Sequence, residues 1–327
     1  MAARRDGTQS YVIGLAALTV AVFVILGLLR PGFFSAANLS SMGFQFPEFG
    51  LLALAVFLPM VSGGIDLSVV GVANLAAIVA AVMMREGGML AVLAVPAALL
   101  IGLAAGALNA FLISVLRLPA ILATLGTMQL FAGLGIVITG GPAITGLPGW
   151  YNGLGNATLF GVVPLPFIAF CVVAVLLGVF YRATPAGIRI RLYGTNPVAA
   201  RFAGMRERRL TFQTYMIAGF VASLAGLVVL ARVNSASSDY GASYLLLVIL
   251  INILAGVSAT GGFGTVGGVV VAVLLLQLIS SGLNFLAFSA FARDLFFGGL
   301  LVVAMSVRAL AEGVRLPNPF RPRTRTA

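Results

Sequence analysis

About ten stretches of this chain hold mainly apolar side chains over roughly the 20 residues that an α-helix needs to cross the hydrocarbon core of a bilayer. Nothing else in the sequence constrains the fold as strongly. Backbone in lipid must satisfy its own hydrogen bonds, and a helix does so within one segment. The expected spans are residues 11–29, 44–62, 68–84, 90–114, 120–139, 164–181, 210–231, 244–259, 266–286 and 295–307. Composition agrees, with 61% hydrophobic and 8% charged residues, against about 25% charged in a soluble domain. The fold class expected is an all-α polytopic membrane protein of about ten transmembrane helices. The first apolar run, of about 19 residues, exceeds the 7–15 of a cleaved signal peptide and is expected to stay as a span.

The charges give the direction. There are 19 basic residues, all arginine, against 8 acids. With the N-terminus inside, Arg4, Arg5, Arg117, the seven arginines from Arg182 to Arg209, Arg308, Arg315, Arg321, Arg323 and Arg325 are cytoplasmic. Only Arg30, Arg85, Arg232 and Arg293 fall outside, a split of 15 to 4 that follows the positive-inside rule. Three regions result: a cytoplasmic tail (1–10), a transmembrane domain (11–307) with a cytoplasmic loop at 182–209, and a basic cytoplasmic tail (308–327). Because the net charge of +11 sits in short loops and tails beside the membrane, anionic headgroups rather than nucleic acid are its expected partner.

Absent residue types exclude several chemistries. With no histidine and one cysteine, Cys171, the chain cannot build a usual His/Cys zinc site or a histidine-based triad. Without lysine it cannot carry a standard Walker A loop, so any ATP and magnesium must be bound by a partner chain and no cofactor is expected here. Cys171, in the run AFCVVAVLL, reads as an unreactive thiol among apolar neighbours.

The loop RATPAGIRIRLYGTNPVAARFAGMRERR carries a compact helix signal. Asn196 can cap, Pro197 fits the first helical position, residues 198–203 continue, and Gly204 suits a left-handed terminus. Two turns are not stable alone. Either Phe202 anchors the helix among headgroups, or the helix is a knob that docks into a cytoplasmic protein.

Between the second and third spans, VSGGIDLSVV interrupts the apolar pattern with Gly63, Gly64 and Asp66. One reading is a cytoplasmic turn in which Asp66 caps the third span. The other is a break within the membrane that lines a cavity. TGGFGTVGGV, between the eighth and ninth spans, is similar and hints at an internal repeat. Polar residues within spans are Asn74, Asn109, Thr124, Thr127, Gln129, Asn252, Gln277 and Asn284. Each serves either as interhelical glue or as part of a path; as neutral donors and acceptors they suit a hydroxylated solute better than an ion. Asp66, Asn74, Thr127, Gln129, Asn252, Gln277 and Asn284 are the candidate pathway residues. Gly102 and Gly106 form one GxxxG, Gly264 and Gly268 another. In the uncharged loop 140–164, Trp150 and Tyr151 are expected in an interfacial aromatic belt; the alternative is that the loop helps seat a binding protein.

The segments SGGIDLSVVGVANLAAIVAA, LPAILATLGTMQLFAGLGIVITGG, GTNPVAARFAGM and SATGGFGTVGGVVVAVLLLQLISSGLNFL resemble the ribose-type ABC sugar permeases, in matching order from about Asn38 to Arg308. SASSDYGASYLL is similar to the autoinducer-2 and deoxysugar branch. The resemblance implies a permease subunit of the bacterial cytoplasmic membrane, paired with a second identical or related permease. It also implies a cytoplasmic ATPase pair as partner and a periplasmic binding protein that delivers a sugar. Gly194, Asn196, Pro197, Ala199, Ala200, Phe202, Ala203 and Gly204 would then be the coupling helix. The chain departs from many relatives just before the eighth span, where they carry acids and it has Tyr244 followed by LLLVILI.

Competing classes fit less well. An ion-coupled carrier needs intramembrane carboxylates or histidines, and Asp66 and Glu48 are the acids available. A passive channel or scaffold has no use for a capped cytoplasmic helix among arginines. For an intramembrane enzyme, no nucleophile and base pair is visible.

Overall fold

A computed structural model describes residues 2–311, and the part of the expected basic tail from 312 to 327 lies outside the described residues. The helices are α1 (Ala2–Leu29), α2 (Ala36–Val61), α3 (Val69–Glu86), α4 (Gly88–Ser114), α5 (Ala120–Thr139), α6 (Gly149–Asn156), α7 (Leu165–Ala183), α8 (Pro185–Thr195), α9 (Pro197–Phe202), α10 (Glu207–Val233), α11 (Tyr244–Leu254), α12 (Val266–Phe285) and α13 (Ala290–Ala311). The protein is all-α and polytopic, with eight helices among the described residues long and apolar enough to cross a membrane: α1 from Gln9, α2, α3, α4, α5, α7, α10 and α12.

The core is built around α2, in which every residue from Phe46 to Val61 is buried. α10, α12, α7 and α11 pack around it, and α10 also packs on α4 and α3. Glycine sets the α4–α10 approach: a Cβ at Gly106 would strike the Tyr215 carbonyl, and one at Gly219 the Gly102 carbonyl. Such close contact is what a GxxxG spacing permits. α4, α5 and α7 by contrast show much of their apolar surface, as helices facing lipid or another subunit do.

Two expectations need revision. The eighth span, expected over 244–259, is helical only over Tyr244–Leu254, about 16 Å at 1.5 Å per residue. Gly256, left-handed at φ 76°, follows the cap of this helix, and Gly261 (φ 94°) and Gly262 (φ 83°) take left-handed backbone in the turn beyond it. Tyr151 is not in a surface belt. It is buried, donating its hydroxyl to the Leu227 carbonyl at 2.8 Å, because α6 folds back onto α10, while Trp150 stays exposed.

The ends of the bundle differ. One carries α8, α9 and the turns at 62–68 and 255–265. The other carries α6 and two short antiparallel pairs, of which β1 (Ile144–Thr145) pairs with β4 (Ser235–Ala236) and β2 (Thr158–Leu159) with β3 (Val163–Pro164). At that second end Asn234, left-handed at φ 56°, terminates α10 and accepts a bond from the Leu147 amide at 3.1 Å.

Candidate functional site

The two glycine-rich breaks meet. The Gly262 amide donates to the Val61 carbonyl at 2.7 Å, and a Cβ at Gly261 would press on Gly63. The end of α8 wedges against both: a side chain at Gly194 would collide with the Val61 carbonyl and the Gly262 amide, so only glycine fits there. Segments distant in sequence thus converge on one point, and the short helix that follows Gly194 is mechanically tied to the inner structure of the bundle.

That helix forms as its residues dictate. The Asn196 side chain accepts from the Ala199 amide at 3.0 Å. Pro197 opens the helix and Gly204, at φ 75°, follows its C-terminus. The Met205 amide then returns to the Ala200 carbonyl at 3.0 Å, so orphan carbonyls are satisfied in the turn. Gly194 and Ala200 are buried, while Asn196, Pro197, Ala199, Phe202, Ala203 and Gly204 are exposed. Val198 and Phe202 present apolar surface outward, Phe202 at 90% exposure. Glu207, at the start of α10, holds the base of this projection: it accepts from the Tyr193 hydroxyl at 2.8 Å and lies 3.8 Å from Arg201. Burial, then the Glu207 carboxylate, push the Tyr193 phenol above its ordinary pKa.

Asp66 is buried in the turn between α2 and α3, but it does not cap α3. Ser68 occupies the cap position, and Asp66 Oδ1 accepts from the Ser68 amide at 2.9 Å and the Ser68 hydroxyl at 2.6 Å. Ser68 Oγ accepts from Asn109 Nδ2 at 2.7 Å, and Asn109 Oδ1 from the Thr127 hydroxyl at 2.6 Å. Thr124 Oγ1 receives the Leu67 amide at 3.1 Å. α3, α4 and α5 are therefore stitched together at the break by a buried chain of polar groups, in which Asp66 and Thr127 hold structure.

The remaining expected pathway residues separate. Asn74 on α3 donates to the carbonyls of Ser238 and Tyr240 at 2.9 and 2.8 Å, holding the segment that leads into α11 over a cavity of about 30 Å3 lined also by Ser235, Ser237 and Tyr244. That space admits water but not a sugar. Asn252 donates to the carbonyls of Ala53 and Val248, both at 2.9 Å, and its buried Oδ1 has no partner. Gln277 on α12 is buried with both amide atoms unpartnered. Asn284 accepts from Arg293 at 2.7 Å at the edge of the bundle, and Gln129 is exposed on α5.

Sequence reading gave Glu48 no partner. It lies within α2, buried and ion-paired to Arg232 of α10, with the Tyr244 hydroxyl donating to its second oxygen at 3.4 Å. An acid within an apolar span and an arginine just inside the end of another were the available signals; their pairing across 184 positions was not. Among the described residues no group of His, Cys, Asp and Glu could hold a metal ion.

The fold and site together are a helical membrane bundle in which two glycine-rich breaks meet beneath a capped projecting helix. The family model for the branched-chain amino acid transport system / permease component matches residues 38–305, and the chain belongs to that family. It is 31% identical over 307 residues to the autoinducer 2 import system permease protein LsrD of Photorhabdus laumondii, covering 91% of this chain and 90% of that protein. LsrD of an Enterobacter species is 32% identical, over 95% and 97%. The ribose import permease protein RbsC of Bacillus subtilis is 33% identical, over 86% and 88%. No solved structure matches the chain.

Proposed function

We propose that this chain is the membrane-spanning subunit of a binding-protein-dependent ABC importer in the bacterial cytoplasmic membrane. It moves a monosaccharide or similar hydroxylated solute with ATP hydrolysed by a separate subunit. A second permease chain and a periplasmic binding protein complete the assembly. The two termini, α8 and α9 lie in the cytoplasm, and Asn196 to Gly204 dock on the ATPase.

The observation that carries this reading is the wedge of Gly194 against Val61 and Gly262. A force applied to α9 reaches both glycine breaks at once, as coupling of a remote ATPase to a transmembrane path requires. The arginine asymmetry supports the orientation. A hydroxylated solute is supported by neutral polar side chains facing the interior and by relatives named for import of autoinducer 2 and ribose. In this reading the cavity beneath the 235–244 segment, too small here for a sugar, belongs to the path.

Reconstitution with the ATPase and binding protein tests the reading. Uptake should need ATP and survive ionophores; uptake that instead collapses with the ion gradient would establish the ion-coupled carrier.

A further inference from the structure

The end of α4 and the start of α10 enclose an open bowl of about 810 Å3, lined by Ile113, Ser114, Leu118 and five arginines: Arg117, Arg201, Arg206, Arg208 and Arg209. Its one acid, Glu207, is already engaged by Tyr193 and Arg201. The other four arginines pair with no carboxylate among the described residues. Arg117, in the left-handed region at φ 58°, joins the lining from the turn after α4. Like charges gathered from two separate loops raise the local positive potential and favour an anion between them. Arginine suits phosphate because its planar fork donates two parallel hydrogen bonds.

We propose that this bowl binds the phosphate-bearing headgroup of an anionic phospholipid; the assignment rests on the cytoplasmic placement of this face. Two features favour a lipid over a soluble anion or an acidic protein surface. Apolar Ile113 and Leu118 form part of the wall, and Leu116 and Leu118 beside it are 53% and 41% exposed, which sets the rim where acyl chains begin. The bowl also opens at the end of a membrane-crossing helix, where basic pockets between helices meet headgroups. Since Arg201 belongs to α9, an occupied site steadies the base of the projecting helix.

The test is lipid binding to the full chain in neutral-detergent micelles, read by native mass spectrometry with phosphatidylglycerol, phosphatidylcholine and inorganic phosphate as separate probes. The wild type should retain phosphatidylglycerol in preference to phosphatidylcholine. Arg208→Gln with Arg209→Gln should weaken that binding about ten-fold or more, and Arg182→Gln with Arg189→Gln, which removes the same charge from the same loop, should not. Equal losses in the two pairs would reduce the effect to general charge and overturn the site. Inorganic phosphate bound as tightly as the lipid would assign the bowl to a soluble anion. If adding the ATPase displaces the lipid, and the Arg208/Arg209 pair loses ATPase binding, the bowl is a protein contact and the lipid assignment fails. Because none of these readouts uses transport, they stand apart from the uptake test; thiol labelling of Arg206→Cys in vesicles checks the sidedness separately.

Discussion

At the scale of single residues, the two buried acids are each engaged by neighbouring side chains. Asp66 acts through one oxygen that accepts two bonds from Ser68, a task an amide oxygen also performs. Asp66→Asn should therefore keep near-normal uptake, whereas Asp66→Leu, which strands a buried serine hydroxyl and amide, should lower the melting temperature in detergent; the lost bonds are worth roughly 1–3 kcal/mol. Loss of uptake in a well-folded Asp66→Asn protein would restore the ion-coupled alternative. Glu48 is held by Arg232. Arg232→Leu should destabilise by about 3–5 kcal/mol because the carboxylate is left buried and unpaired, and adding Glu48→Gln should recover much of the loss. A thermal-shift comparison of the single and double variants decides it. That Asp66 lay at a break was legible from its neighbouring glycines. Its attachment to Ser68, Asn109 and Thr127 was not, since hydrogen-bond direction across three helices follows from their packing.

At the scale of elements, α9 was readable almost residue by residue, because capping depends on positions three or four apart. The Asn196 cap bond and the left-handed Gly204 stand where local sequence placed them. Asn196→Ala should remove about 1 kcal/mol from this short helix and weaken ATPase binding, measured by pull-down with the purified subunit. Gly194→Ala should do more damage, because the added methyl meets the Val61 carbonyl and separates α8 from both breaks. Uptake that survives Gly194→Ala unchanged would remove the mechanical link between α9 and the core. α11 shows where hydropathy misled: its apolar run continues past Leu254, yet the helix stops, since Gly256, left-handed at φ 76°, follows the cap at Ala255. Tyr151 was misplaced for a similar reason, as an amphipathic ring in a loop looks alike whether it lies at an interface or folds back to donate to Leu227.

For the whole molecule, the orientation is the prediction on which the others depend. Phe202→Cys, in a chain with Cys171 replaced by serine, should react with a membrane-impermeant thiol reagent only from the cytoplasmic side, as expected of a side chain 90% exposed on α9. Reaction from the opposite side would invert the topology and end the coupling proposal. The sequence by itself determined the class: apolar runs long enough to cross lipid, arginine asymmetry and the missing lysine and histidine are properties of composition and order, and need no folded chain to act. Only the tertiary structure decided which polar groups meet. The contact between the two breaks, the Glu48–Arg232 pair and the gathering of arginines from separate loops all join positions far apart along the chain. Hydropathy is summed over neighbours in sequence, whereas hydrogen bonds and charge pairs depend on distances that exist only after the helices pack.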